Sequence, residues 1–219
     1  MNQTSKPRRE PRRRDARETR ARLTAEAGKA FAKHGFAGSN LRDICHAANV
    51  NLGAIKYYFG SKKELYREVL IQSHIEIVNE EPLPRMPLNT SPEESLSPWI
   101  GFILRLVLIR RRKHPYLSRL MIREIASPSF ALDELIEKVF KGLREQLTAI
   151  VLPLTTDGRD DRSAAELANI IIMLCVQQEM GRPIFERAGF PPPETEQEIA
   201  QLTKKICSFV LAGIGSWKS

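Results

Sequence analysis

One short segment carries side chains that could contact nucleic acid. In NVNLGAIKYYFGSKKEL, residues 49–65, a lysine and two adjacent tyrosines lie between two glycines. Lys56 can reach a DNA phosphate or the edge of a guanine, and the hydroxyls of Tyr57 and Tyr58 can donate hydrogen bonds to phosphates. On composition alone, tyrosines in a core and a solvated Lys56 explain the segment equally well. The elements that position the segment must therefore decide between the two interpretations.

The flanking sequence predicts a helix-turn-helix. Ser39 is expected to cap a short helix, LRDICHAA, and Asn49 to adopt the left-handed conformation that a tight turn needs. A second helix is predicted from Leu52 to Tyr58, and in such motifs the second helix enters the major groove. Two small residues at its start would permit a close approach to DNA: Gly53 and Ala54. Two apolar residues spaced by four would face the core: Ile55 and Phe59.

The next helix is predicted to begin with a phosphate-binding turn. Gly60 is expected to end the second helix, and Ser61 to cap the next one in a capping box with Glu64. Lys62 lies in the first turn, where its charge and the free backbone N–H groups favour a phosphate. Together these elements favour DNA contact over a core role.

Positive charge is concentrated towards the amino-terminal end. Residues 1–22 contain nine Lys and Arg against three Asp and Glu, residues 23–70 seven against four, and residues 71–219 eighteen against nineteen. This asymmetry predicts a basic module for a polyanion and a near-neutral body. Residues 1–14 are expected to form a disordered arm. The arm either contacts the DNA backbone or a minor groove, or is a solvated tail.

Other functional classes lack the residues that they require. The three cysteines are far apart and the four histidines are scattered, so we expect no metal, no cofactor and no catalytic centre. Separate cysteines of odd number are typical of a reducing, cytoplasmic environment. The longest apolar runs are short or interrupted by Arg105, so we expect no membrane span.

The rest of the chain predicts more helices and no strand. The proline-rich residues 80–98 are expected to form a loop. Further helices are predicted over residues 99–112, 115–125, 130–152, 163–182 and 194–212. The four cations from Arg110 to Lys113 predict a solvated helix end, with an anionic ligand as a lesser alternative. We therefore expect an all-α protein of about nine helices, with a DNA-binding domain over 15–62 and a ligand-binding and dimerisation domain over 63–219.

Two apolar helices could pair with a second copy of the chain. The helix over 163–182 is apolar nearly all round, and the last helix has a strong apolar face, so the two could form a four-helix interface. The candidate interface residues are Leu167, Ile170, Ile171, Leu174, Leu202, Ile206 and Phe209. An ordinary monomeric core is the alternative.

An apolar ligand pocket is predicted among the three helices that follow the proline-rich loop. Its candidate wall residues are Trp99, Phe102, Leu106, Met121 and Phe140. Glu124 could orient a polar ligand. For each of these residues, an ordinary core or surface role is favoured over a ligand contact.

The segment from about Arg20 to Tyr66 resembles the DNA-binding domain of the TetR family of bacterial transcriptional regulators. LTAEAGKAFAKHGF, SNLRDICHAANV and NLGAIKYYFGSKKELY carry this resemblance, and PYLSRLMIREIASPSFALDELIEKVF is similar to the CerR/CecR-type C-terminal domain. The resemblance implies a homodimer on a palindromic operator, whose two heads change spacing when a small-molecule effector binds. It also implies base-facing residues, Leu52 and Ala54, and backbone-contacting residues, Arg42, Tyr57, Tyr58 and Lys62.

Two positions depart from the family pattern. Lys56 stands where many members carry an aromatic residue, and Asn49 replaces the usual turn glycine. We predict a sequence-specific regulator that binds double-stranded DNA, a ligand-responsive repressor rather than an enzyme. The alternative is a basic helical module that binds nucleic acid without sequence preference or ligand control. Activation stays open, although the resemblance favours repression.

Overall fold

The structure, a computed structural model, describes residues 10–84, 90–155 and 161–214. Within these ranges it is all helical, with ten helices and no strand. The first six are α1 (Glu10–Gly38), α2 (Leu41–Ala47), α3 (Gly53–Tyr58), α4 (62–80), α5 (Pro92–Leu108) and α6 (Leu117–Ala126). The last four are α7 (132–151), α8 (Asp161–Met180), α9 (Arg182–Arg187) and α10 (Glu196–Ile214). The all-α prediction is confirmed, and α9 is the helix that the sequence did not predict.

Two of the long helices contain a wider π-helical turn. In α4 this turn is Glu68–Gln72, and in α7 it is Ile136–Phe140. The helix α1 starts at Glu10, earlier than the expected Asp15. Residues 1–9 of the predicted arm lie outside the described residues.

The first four helices form a head whose buried side chains belong to the core of the chain. Along α1, Leu23, Ala27 and Phe31 are fully buried at intervals of four residues, which places them on one stripe of the helix. The other helices contribute Ile44, Cys45, Ile55, Phe59, Leu65 and Tyr66 to the same core. The predicted inward positions of Ile55 and Phe59 are therefore confirmed.

Three backbone signals in the head behave as the sequence predicts. Gly35 interrupts α1 with φ 73°, Asn49 makes the turn after α2 with φ 53°, and Gly60 follows α3 with φ 79°. Positive φ is favourable for glycine and tolerable for asparagine, whose short polar side chain suits the left-handed region. These residues fix the angles at which the three helices meet.

Two predicted helix caps are wrong in detail. Asn40, and not Ser39, caps α2 by accepting a hydrogen bond from the Arg42 amide, since the Ser39 hydroxyl instead donates to the carbonyl of Gly35. Ser61 does cap α4 by accepting from the Glu64 amide. The Glu64 carboxylate, however, pairs with Arg67 and leaves the expected capping box half formed.

The body is built around α5, which begins at Pro92 within the predicted loop. A complete capping box between Ser91 and Glu94 starts the helix, with a proline in its first turn, where a missing N–H costs nothing. The prediction of loop up to Pro98 is therefore wrong. Pro98 lies inside the helix instead.

The core of the body surrounds α5 on nearly all sides. Its buried residues include Leu96, Trp99, Ile100, Phe102, Ile103 and Leu104. The helices α7, α8 and α10 pack against it. In the described part of the chain, no helix has both the length and the apolarity to cross a membrane.

Head and body meet where α6 packs against α1. The Arg123 guanidinium donates from Nε to the Ala32 carbonyl at 2.8 Å and from Nη2 to the Lys33 carbonyl at 2.5 Å. The Tyr116 ring lies so close to Gly28 that a Cβ at residue 28 would be 2.5 Å from it. These contacts make α1 part of the joint as well as of the head.

A buried hydrogen bond adds a second connection at this joint. The Tyr66 hydroxyl on α4 donates to the Glu124 carboxylate at the end of α6. The other oxygen of Glu124 accepts from the amide and hydroxyl of Ser129, at 3.1 and 3.0 Å. Both carboxylate oxygens are therefore satisfied in a site where Glu124 is only 1% exposed.

Candidate nucleic-acid interface

The helix α3 has one inner and one outer face. Ile55 and Phe59 hold it against the head, while Leu52, Lys56 and Tyr57 are exposed. Tyr57 is 80% exposed, which is unusual for a side chain with so large an apolar ring. Among the described residues, Tyr58 is the only one whose aromatic ring packs against the Tyr57 ring. The outer face of α3 is therefore available for another molecule.

Asn51 fixes the start of α3. Its side-chain oxygen accepts from the Ala54 amide at 3.1 Å, and its carbonyl accepts from the same amide at 3.0 Å. The Asn51 side chain thus shares, with its own carbonyl, one of the first N–H groups of the helix. This contact was not predicted from the sequence. The side-chain type of Asn51 and its spacing from Ala54 were the available signal.

Two of the predicted contact residues lie on the flank of α3. Ala54 and Tyr58 are partly buried against the head core, because a helix that buries positions 55 and 59 also turns their neighbours inward. The Tyr58 ring packs edge-on against Tyr57, with centroids 4.8 Å apart. It also lines a polar cleft of about 320 Å³ behind α3, bordered by Arg20, Arg67 and others. The side chains of both residues are less exposed to solvent than that of Tyr57.

The remaining predicted contacts lie beside α3. Arg42 is exposed on α2, and Gly53 is exposed at the first turn of α3. Lys62 is half-buried, and its ammonium lies 4.9 Å from the centroid of the Phe36 ring and 3.4 Å from the Ala37 carbonyl. A phosphate at Lys62 would have to share or displace these contacts.

The candidate dimer residues divide into two groups. Ile170 and Phe209 are exposed, at 41% and 69%, and Leu174 and Leu202 are half-buried. Leu167, Ile171 and Ile206, however, are already buried in the core of their own protomer. The helix α8 buries residues at intervals of three and four, and its opposite side carries Ile170 and the exposed Met173. Because this helix is apolar nearly all round, its sequence does not indicate which side is buried in the protomer.

The candidate pocket residues differ in burial. Trp99, Phe102 and Leu106 are buried on α5, whereas Met121 and Phe140 are half-buried. Phe140 packs edge-on against His74 of α4, with centroids 5.7 Å apart. The oxygens of Glu124, the candidate for orienting a ligand, bond to Tyr66 and Ser129 at the joint with the head.

The cationic run after α5 is also more than a solvated end. Arg111 pairs with Glu179 at 2.6 Å, Arg112 donates to the Glu194 carbonyl at 2.9 Å, and Lys113 pairs with Glu80. The Arg111 and Glu179 side chains are largely buried. These contacts join the end of α5 to α4, α8 and the residues before α10.

Family comparisons match both halves of the chain. Residues 23–69 match the profile described as bacterial regulatory proteins, tetR family. Residues 92–214, more than half of the chain, match the C-terminal domain of the HTH-type transcriptional dual regulator CecR.

Individual relatives agree with these profiles. The HTH-type transcriptional regulator TtgR of Pseudomonas putida is 42% identical over 60 residues, which are 27% of this chain and 29% of TtgR. The dual regulator CecR of Shigella flexneri is 28% identical over 155 residues, 66% of this chain and 69% of CecR. The chain thus spans less than a third of TtgR in that match.

The fold is shared with solved transcriptional regulators. The stearoyl-CoA complex of FadR from Bacillus subtilis aligns with a TM-score of 0.62 over 88% of this chain and 98% of FadR, at 16% identity. At this identity the similarity concerns the fold alone. These relatives and fold neighbours are regulators and not enzymes.

Proposed function

This chain belongs to the TetR family of bacterial regulatory proteins and is a DNA-binding transcriptional regulator; from that premise we propose that it is a ligand-responsive repressor. It binds a palindromic operator as a homodimer in the cytoplasm. Occupancy of a promoter suffices for repression, because a bound dimer blocks access of the polymerase. A small molecule in the body releases the operator by changing the spacing of the two heads.

The observation that carries the proposal is the outer face of α3. Leu52, Gly53, Lys56 and Tyr57 are exposed together on a helix that is capped by Asn51 and held by a buried inner face. Such a helix is rigid before it meets DNA, which limits the ordering cost of binding. Arg42 on α2 adds a cation beside it for the phosphate backbone.

The dimer part of the proposal rests on exposed apolar side chains. Ile170 and Met173 on α8 and Phe209 on α10 are exposed without a role in the core of the protomer. Exposed apolar side chains of this kind are candidates for an interaction site. Two copies related by a two-fold axis would pair these faces, and the same symmetry would present two heads to a palindrome.

The effector part of the proposal rests on the joint between body and head. FadR of Bacillus subtilis, which shares the fold, was solved with stearoyl-CoA. For this chain we propose an unidentified small molecule that binds among α5, α6 and α7, with Trp99, Phe102, Leu106, Met121 and Phe140 as candidate walls. Movement of α6 would reach the head through Arg123 and Glu124, which bond to α1 and α4.

The test is selection of bound sequences from a random duplex DNA pool with the full chain at about 0.15 M salt. Enrichment of a palindrome supports a dimeric, sequence-specific regulator, and its half-site spacing gives the separation of the heads. Salt-sensitive binding without an enriched motif would refute the proposal in favour of a non-specific nucleic-acid binder. Reporter transcription from the selected site then separates repression from activation.

A further inference from the structure

Lys56 occupies an unusually open position on α3. The residue three positions before it on the same face of the helix is Gly53, which lacks a side chain, and Gly60 lies just beyond the end of the helix. A Cβ at Gly60 would meet nothing within 4 Å, and one at Gly53 would meet only the Asn51 side-chain oxygen, at 3.2 Å. This face of the helix can therefore lie close to the floor of a groove.

The Lys56 ammonium is also free within the protein. Lys56 is exposed, and its side chain makes no hydrogen bond, ion pair or ring contact with any residue in the described ranges. The lysines of α4 differ, because Lys62 lies over the Phe36 ring and Lys63 over the Phe130 ring, 5.3 Å from its centroid. No intramolecular contact has to be broken before Lys56 binds.

The other exposed residues of α3 define the task that is left for Lys56. Leu52 can only make apolar contacts and Gly53 has no side chain, so neither can donate a hydrogen bond from a side chain to a base. Tyr57 can donate a hydroxyl, which suits a phosphate. Arg42 supplies a further cation for the backbone. A lysine held close to the groove floor can instead donate to O6 and N7 of guanine, a pattern that only guanine presents in the major groove.

We propose that Lys56 reads one guanine in each operator half-site from the major groove. The inference rests on the proposed operator binding, and it specifies which residue contacts which base. Gly53 permits the close approach, and Lys56 provides the donor that distinguishes a G·C pair from the other pairs. The ammonium acts on a base edge and not on the backbone.

The experiment compares operators selected by the wild-type chain and by Lys56→Met, Lys56→Gln and Lys56→Arg. We expect one guanine per half-site in the wild-type motif, retained by Lys56→Arg and lost in Lys56→Met. Lys56→Gln should shift that position towards adenine, because an amide pairs with N6 and N7 of adenine. The other positions of the motif should stay unchanged.

A chemical probe tests the contact directly. Replacing the selected guanine by 7-deazaguanine removes N7 and keeps the base pair, and should weaken wild-type binding about five- to 100-fold. The same replacement should leave Lys56→Met binding unchanged. Lys29→Gln removes a lysine that is paired with Glu26 on α1, and it provides a control for loss of charge.

The outcomes separate this inference from the proposed function. If the wild-type chain selects no palindrome, the proposed function fails. If it selects a palindrome that Lys56→Met selects equally, with a uniform loss of affinity and a salt slope reduced by about one unit, then Lys56 is a phosphate contact and the inference is wrong.

Discussion

Removing the Tyr66 hydroxyl should weaken the joint between head and body. In Tyr66→Phe the aromatic ring stays against Phe31 and Phe36, but one oxygen of the Glu124 carboxylate loses its hydrogen bond. Both residues are almost fully buried, so water cannot replace the lost donor without a local rearrangement. The change thus isolates one hydrogen bond to a buried carboxylate.

The magnitude follows from the charge and burial of the acceptor. A hydrogen bond to a charged group contributes about 1.5–3 kcal/mol, and leaving a buried acceptor unsatisfied has a cost of the same order. We expect Tyr66→Phe to lower the free energy of unfolding by about 2 kcal/mol. For a chain of this length that is a fall in Tm of about 4–8 °C.

The matched control is Tyr116→Phe. No carboxylate of the described residues accepts from its hydroxyl, which lies 3.0 Å from the Ser73 hydroxyl and 3.1 Å from Nδ1 of His114, and its ring contact with Gly28 would remain. A hydrogen bond without a carboxylate acceptor contributes about 1 kcal/mol. Urea and thermal unfolding of both variants, with a double-mutant cycle to Glu124→Gln, measure the difference. Equal losses in the two variants, or no coupling between Tyr66 and Glu124, would refute the reasoning.

The same pair predicts how stability depends on alkaline pH. Burial and the neighbouring Glu124 carboxylate raise the pKa of Tyr66 above its ordinary value. The unfolded chain then releases this proton first, so the stabilisation is complete below about pH 10 and is lost as the pH rises beyond it. Tyr66→Phe should therefore lose less stability than the wild type between pH 9 and 11.

Three further predictions concern separate parts of the molecule. Deleting residues 1–14 should weaken binding to all duplexes and lower the slope of log affinity against log salt; an unchanged slope would make the arm a bystander. Phe209→Glu should sediment as a monomer and bind the operator weakly, whereas Lys204→Glu on the same helix should do neither. A monomeric Phe209→Glu with full operator affinity would contradict the proposed dimer. Burial lowers the pKa of His74, so stability should fall as the pH drops below about 6.5, and His74→Gln should flatten this loss while the exposed His46→Gln does not.

The head was largely predictable because its signals are local. A glycine at a helix end, an asparagine in a tight turn and two apolar residues spaced by four each fix a short stretch of backbone. Gly35, Asn49 and the pair of Ile55 and Phe59 accordingly lie where the sequence places them. Caps were less certain, since Ser39 and Asn40 are neighbours with similar preferences, and the Ser39 hydroxyl bonds back to the Gly35 carbonyl while Asn40 accepts from the Arg42 amide.

The body was less predictable because its decisive contacts are distant in sequence. Which side of α8 is buried depends on the position of α5, and the apolar residues Leu167 and Ile170 look equivalent in the sequence. In the sequence, Glu124 looks like a polar residue that could contact a ligand. Its structural role is visible only from its hydrogen bond to Tyr66, which is 58 residues away. The start of α5 at Pro92 was an avoidable error, because the sequence of Ser91 and Glu94 already contains a capping box.

The close approach of Gly28 to Tyr116 limits how such regulators can be recombined. Exchanging the head for that of a relative, with the junction at the start of α4, would replace α1. In this chain α1 fits the Tyr116 ring and is bonded by Arg123, both from the body. A transplanted head with any side chain at position 28 would place a Cβ 2.5 Å from the Tyr116 ring as it lies here. A working hybrid must therefore carry matched residues on α1 and on the part of the body that contacts it. The two sides of this contact have to be exchanged together.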